Sequence, residues 1–197
     1  YAMHAHELDD YVADVQRLQA DYNSDGAKPF HIRLGMEMDF LPSRIGLARE
    51  VQQRYGWDYI IGSVHNIGFE KLQEPDLYTQ WNIDDVCELY FHQIGMMVQE
   101  RFCDIVGHFD LPKKMGSRPS GGLLRYIEPL IPALVASGIA VEINTSGRDN
   151  PAQEFMPGWE VVEALAAAGV PLTLGSDAHT PQQVGRHFAD ALAGLRR

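Results

Sequence analysis

Carboxylate and imidazole side chains recur at similar points along this 197-residue chain, where short apolar segments end. These residues are Glu37 in "GMEMDF", His65 in "GSVH", His108 in "VGHFD", and Asp177 and His179 in "GSDAH". A further apolar segment ends in "EINTSGR", which carries Glu142, Asn144 and Arg148. Acids and histidines that converge in one pocket repel one another or suffer costly burial unless a cation joins them. The recurrence therefore predicts a metal site.

The predicted ligands are carboxylates and imidazoles, with no thiolate among them. Such a set suits Zn, Mn, Fe or similar ions in hydrolytic sites. A carboxylate between two ions can hold them about 3.5–4 Å apart, where they activate a water together and stabilise a charged oxygen. The residue types therefore favour metal-dependent hydrolysis.

The apolar segments before these residues have the length and composition of buried parallel strands. They are "HIRLGMEMDF", "DYIIGSVH", "CDIVGHFD", "IAVEINTSG" and "VPLTLGSDAH". Helical patterns separate them, over about 7–22, up to about 54, and over 83–101, 119–138, 158–168 and from near 181 onward. The order predicts one α/β domain, either a β/α barrel or a doubly wound open sheet. Because the carboxyl ends of barrel strands converge on one mouth, the polar residues there favour the barrel.

Composition restricts the class of partner. The net charge is −11, which argues against a nucleic-acid or anionic-membrane binder but leaves a small anionic substrate possible. The two cysteines, Cys87 and Cys103, lack the spacing of a zinc motif and favour a reducing cytoplasm. No run of about 18 apolar residues is present. We predict a cytoplasmic protein, and the oligomeric state stays open.

Five motifs in their order and spacing resemble the polymerase and histidinol phosphatase (PHP) family, most closely its histidinol-phosphatase branch. The motifs are "GMEMDF", "DYIIGSVH", "DIVGHFDLPKKMG", "EINTSG" and "LGSDAHTPQQVG". The resemblance implies a distorted TIM-like barrel of seven strands and seven helices. Two strands, and the family's HxH metal motif, are then expected upstream of Tyr1. We predict a single PHP domain over residues 1–197, N-terminally incomplete.

The resemblance also implies two or three metal ions. Glu37 would bridge two of them, and His65 and His108 would complete the protein ligands of one. Asp177 would bind an ion together with the upstream HxH motif, and His179 would bind a third. Glu37 and Asp177 are the carboxylates expected to serve catalysis.

The implied activity is hydrolysis of a small phosphomonoester, L-histidinol phosphate in histidine biosynthesis, by water activated at the metal ions. Arg148 is the predicted phosphate clamp, because a guanidinium binds phosphate bidentately, and a solvated loop arginine is the alternative. Lys114, with Lys113 beside it, is a second candidate cation. Two other functions remain open: a PHP phosphoesterase for another small phosphate ester, and a degenerate, non-catalytic PHP module.

Asp39 and Asp110 each follow a predicted ligand by two residues, which places them on the ligand's side of a regular strand. They could support those ligands or only form turns. His4 and His6 differ, because they follow only three residues and run into a helix. We predict that these two histidines are structural or solvated rather than metal ligands.

Overall fold

The computed structural model describes residues 3–24, 26 and 30–196. The chain forms strands β1 (Gly35–Asp39), β2 (Tyr59–Ser63), β3 (Asn66–Ile67), β4 (Glu70–Lys71), β5 (Ile105–Val106), β6 (Ala140–Asn144) and β7 (Leu172–Gly175). Five of them build a sheet in the order β1-β2-β5-β6-β7, and every neighbouring pair in it is parallel. The five predicted strands are all present, while the β3–β4 hairpin occupies a segment in which no strand was predicted.

Helices follow or precede the sheet strands, as the alternating pattern predicted. They are α1 (Leu8–Asn23), α2 (Ile45–Arg54), α3 (Leu77–Gln80), α4 (Ile83–Gln99), α5 (Leu124–Ile127), α6 (Ile131–Ser137), α7 (Trp159–Ala167) and α8 (Phe188–Gly194). The longest one, α4, is preceded by Asn82, whose side-chain oxygen accepts a hydrogen bond from the backbone N–H of Asp84 at 2.9 Å. This is a standard N-cap, and it fixes where α4 starts.

The predicted start of the last helix near Pro181 was wrong. Pro181–Gln183 forms a short 3-10 helix, and the α-helix begins only at Phe188. Between them Val184 is extended, and Gly185 and His187 adopt positive φ values of 73° and 58°. Residues with left-handed backbone cannot continue a right-handed helix, so the two helical segments stay separate.

The two faces of the sheet have different surroundings. Ile60, Val106 and Val141 point into the main apolar core, where they join Tyr90 and other buried residues of α4. Side chains alternate along a strand, so the intervening positions face the opposite side. There Glu37, Ile61, Ile105, Glu142 and Thr173 line a cavity of about 520 Å³. The acidic residues Glu37 and Glu142 therefore lie on the side of the sheet opposite the main apolar core, where they face the cavity.

Both cysteines are free and buried. Cys103 packs so closely on β2 that a side chain at Gly62 would collide with its sulfur.

Within the described ranges, no helix combines the length and the apolar character that crossing a membrane requires.

Candidate metal site

Three of the predicted ligands lie together at the carboxyl ends of adjacent strands. Glu37 is in β1, His65 follows β2 by two residues, and His108 follows β5 by two residues. One ligand atom from each lies within 4.8 Å of the other two. Parallel neighbouring strands end at the same edge of a sheet, and this explains why residues so distant in sequence meet.

Glu37 is the centre of this group. Its Oε1 accepts a hydrogen bond from Ser63 Oγ at 2.7 Å and lies 3.1 Å from His108 Nε2 and 3.6 Å from His65 Nε2. Burial alone would raise the pKa of Glu37, but the hydrogen bonds and charges of these neighbours outweigh burial and lower the pKa to about 2. The Glu37 carboxylate is therefore ionised at neutral pH, as a metal ligand must be.

Asp39 orients His65. Asp39 Oδ1 lies 2.5 Å from His65 Nδ1, so the carboxylate accepts a hydrogen bond in the tautomer that carries the ring proton on Nδ1. The Nε2 lone pair then faces Glu37, which is the tautomer that a metal ion needs. Asp110, the other aspartate two residues after a predicted ligand, instead binds Lys113 Nζ at 2.7 Å and the backbone N–H of Gly158 at 3.0 Å.

His108 is buried and has an unusual backbone conformation. Its φ is +26°, and its backbone N–H donates to Glu142 Oε2 at 2.9 Å. Burial lowers the pKa of His108, but the carboxylates of Glu37, Glu142 and Asp177 act against burial and the net effect is a raised pKa. Among the described residues, His108 Nδ1 has no hydrogen-bond partner. A bound ion would take the place of the proton that now links His108 to Glu37.

Asp177 lines the same 520 Å³ cavity as Glu37 but is not a member of the three-residue group. Its Oδ2 accepts from Asn144 Nδ2 and Ser146 Oγ, both at 3.3 Å. Asn144 Nδ2 also donates to Glu142 Oε2 at 3.1 Å, which links Asp177 to the carboxylate that holds His108. The ends of β5, β6 and β7 are thus joined by one chain of hydrogen bonds.

His179 lies two residues beyond Asp177 and is more exposed. Its Nδ1 is 3.1 Å from the backbone oxygen of Asp177, and its side chain is 59% exposed. The described group of three ligands does not include His179, nor does it include His4 or His6. The rings of His4 and His6 stack on each other with centroids 5.5 Å apart, and both residues are exposed.

The two predicted phosphate-binding cations lie in different places. Lys114 donates to Gln73 Oε1 at 3.2 Å; burial lowers its pKa, and the charges of Asp177 and Glu37 oppose this. The negative charges of the candidate site therefore act on the Lys114 ammonium. Arg148 instead pairs with Asp190 at 3.2 Å and lines a second cavity of about 430 Å³, which Lys113 also lines.

The donor set fits a transition-metal ion. One ionised carboxylate and two imidazoles, of which His65 has Asp39 against Nδ1 and Nε2 toward Glu37, match the oxygen and nitrogen ligands that Zn, Mn and Fe accept. Sequence reasoning did not assign a role to Ser63, although Ser63 precedes His65 by two residues and so faces the same side of its strand. Glu142 and Asn144 were recognised as polar residues at a strand end, but their hydrogen bonds to His108 and Asp177 were not predicted.

Comparison with known proteins assigns the class. The PHP domain family model matches residues 2–146. A protein of Deinococcus radiodurans named probable histidinol-phosphatase is 33% identical over 199 residues, which cover 100% of this chain and 74% of that protein. The chain belongs to the PHP domain family. A histidinol-phosphatase of Lactococcus lactis is 26% identical over 184 residues, or 87% of this chain and 65% of that protein.

Two crystal structures share the fold. One, from Listeria monocytogenes and described provisionally as histidinol phosphatase hisK, has a TM-score of 0.86 at 20% identity and covers 96% of this chain and 77% of its own. The other is histidinol phosphate phosphatase from Lactococcus lactis, complexed with Zn, L-histidinol and phosphate. It has a TM-score of 0.75 at 19% identity and covers 100% of this chain and 73% of its own. These two structures and the family match confirm the predicted fold class, a distorted TIM-like barrel.

Proposed function

We propose that this chain is a metal-dependent phosphomonoesterase that converts L-histidinol phosphate and water to L-histidinol and phosphate in histidine biosynthesis. The observation that carries the proposal is the group of Glu37, His65 and His108 at the converging strand ends of a PHP domain. Relatives named histidinol-phosphatase support the choice of substrate. The proposal includes one domain over residues 1–197 and a cytoplasmic location.

Glu37, His65 and His108 would hold one ion of two or three, with Zn, Mn and Fe as candidates, and Asp177 and His179 would serve the others. When bound, these ions supply a Lewis acid and lower the pKa of water. Asp39 and Ser63 keep the donors aimed at the site, through His65 Nδ1 and Glu37 Oε1 respectively.

Of the two predicted phosphate-binding cations, Lys114 is the better supported, since the charges of both Glu37 and Asp177 act on it. Arg148 remains a second predicted phosphate ligand. To bind phosphate there, its guanidinium would have to leave Asp190 and the ring of Phe155, whose centre is 5.4 Å away. An ammonium and a guanidinium would together neutralise a phosphate dianion, and this suits a small phosphorylated metabolite.

The test is phosphate release from L-histidinol phosphate and from a panel of other phosphomonoesters, with Mn²⁺ or Zn²⁺ added. We expect the highest kcat/KM for L-histidinol phosphate. Equal rates across the panel would replace this substrate by another small phosphate ester. Absence of turnover on every ester, with metal bound, would favour a non-catalytic module.

A Glu37→Gln variant serves as the control for the site. It keeps the size of the side chain and removes the charge, so metal binding and turnover should be lost together. An equally conservative Glu163→Gln change on the surface of α7 should leave both unchanged. Normal turnover by the Glu37→Gln variant would contradict the proposed role of Glu37.

A further inference from the structure

Asp177 has a backbone conformation that non-glycine residues seldom adopt. Its φ is +46°, in the left-handed region. Such conformations persist only where the surroundings determine them, and they cluster at functional sites. The residues that hold Asp177 in this conformation are therefore part of how the site is built.

Arg186 binds the backbone at this point with two arms of its guanidinium. Its Nε donates to the carbonyl oxygen of Ser176 at 3.0 Å, and its Nη2 donates to the carbonyl oxygen of Asp177 at 3.0 Å. Two adjacent carbonyls are thus fixed by one planar group. An ammonium has no such fixed fork, so lysine could not reproduce the geometry.

The third arm of the Arg186 guanidinium is anchored as well. Its Nη1 donates to Asp149 Oδ2 at 3.1 Å, and Asp149 Oδ1 lies 2.7 Å from His187 Nε2. The backbone oxygen of Arg186 accepts from Thr145 Oγ1 at 2.6 Å. The side chain is only 18% exposed. Each guanidinium nitrogen therefore has a protein partner, and the group is directed at the backbone rather than into the cavity.

We propose that Arg186 is a positioning residue: it holds Asp177 in the left-handed conformation that turns the Asp177 carboxylate toward Asn144 and the cavity shared with Glu37. The inference deepens the proposed function, because it rests on Asp177 acting as a metal ligand. It requires that loss of the fork weakens ion binding at Asp177 without changing the affinity for the phosphate ester.

The test compares Arg186→Lys with Arg101→Lys. Arg101 is a matched control, because its guanidinium also donates to two adjacent carbonyls, those of Ser137 and Ala136, at 3.3 and 3.4 Å. For Arg186→Lys we expect the Mn²⁺ concentration at half-maximal activity to rise about tenfold, as for other residues that orient metal ligands. We expect a lower kcat, an unchanged KM and an altered absorption spectrum of bound Co²⁺. Arg101→Lys should match the wild type in all four.

An Asp149→Asn variant provides a second test that leaves Arg186 in place. It removes the charge that anchors the guanidinium, so it should shift the Mn²⁺ requirement in the same direction and by less. This variant decides the question if Arg186→Lys does not fold. A higher KM with an unchanged Co²⁺ spectrum would mean that Arg186 binds phosphate directly and would overturn the proposal, as would identity with the Arg101→Lys control.

Failure of the proposed function gives a different result. If the wild-type chain releases no phosphate from any ester, Arg186→Lys and Arg101→Lys can still be compared by the spectrum of bound Co²⁺ and by metal affinity from a calorimetric titration. A change specific to Arg186→Lys in those two measurements supports its positioning role even then. No difference between the variants overturns that role, whatever the activity of the wild type.

Discussion

Replacement of Asp39 tests how far the metal site depends on residues that do not touch the ion. Asp39 Oδ1 lies 2.5 Å from His65 Nδ1, on the side of the ring opposite Glu37. Without Asp39, His65 can place its proton on either nitrogen and can rotate. The Asp39→Ala variant should therefore bind Zn²⁺ more weakly while it keeps all three proposed ligands.

The size of the effect follows from the exposure of the pair. Loss of a partner that orients a metal-binding histidine costs about 10–100-fold in affinity. The Asp39 side chain is 41% exposed, so water screens its charge, and we expect the lower end of that range. Tenfold corresponds to about 1.4 kcal/mol. Asp39→Asn keeps an oxygen acceptor but loses its charge, which roughly halves such a hydrogen bond and predicts about threefold.

Calorimetric titration of metal-free protein with Zn²⁺ measures these affinities directly. Asp14→Ala is a suitable control, because Asp14 forms an ion pair with Arg17 in which both side chains are 70% exposed. Its affinity should equal that of the wild type. If Asp39→Ala binds Zn²⁺ as tightly as the wild type does, Asp39 does not orient His65, and the short contact between them has no role in metal binding.

Three further outcomes follow from the structure. The raised pKa of His108 stabilises the metal-free fold below pH 6.5, and this stability is lost as pH rises through the raised pKa. Zn²⁺ affinity should increase over the same pH range, because the ion competes with the proton on His108. Urea denaturation and calorimetry at several pH values would show the two trends, and flat profiles would contradict them. Lys113→Met removes the positively charged partner of the buried Asp110 carboxylate and should cost about 3–5 kcal/mol in urea denaturation. A loss under about 1 kcal/mol, the value for exposed pairs, would refute this. Gly175→Ala places a methyl group against Glu142 Oε1, so the variant should lose about 1–3 kcal/mol by the same assay; wild-type stability would show that Glu142 can move aside.

Much of the fold was predictable because strand period and helix period are local properties of the sequence. The strand ends were predictable for the same reason, and they brought Glu37, His65 and His108 to one place. The position of Arg148 was not predictable. Its side chain has several rotatable bonds. Whether it points to the cavity that holds Glu37 or pairs with Asp190 depends on α8, which lies about 40 residues further along the chain.

The supporting contacts were also beyond the sequence patterns. Ser63 in β2 reaches Glu37 in the neighbouring strand β1, and Glu142 in β6 reaches the backbone of His108 after the neighbouring strand β5. Such contacts depend on the register of neighbouring strands, which periodicity within one strand does not define. The late start of α8 was missed for a related reason, because the segment after Pro181 has helical composition but forms other contacts.

The two buried cysteines have a consequence for how the protein responds to oxidants. Burial raises the pKa of Cys87 and of Cys103 to about 12, so the reactive thiolate is a minute fraction at neutral pH. The proposed ligands are oxygen and nitrogen donors, and neither sulfur belongs to the group of Glu37, His65 and His108. Peroxide that would release zinc from a cysteine site should therefore leave zinc bound by Glu37, His65 and His108 in place.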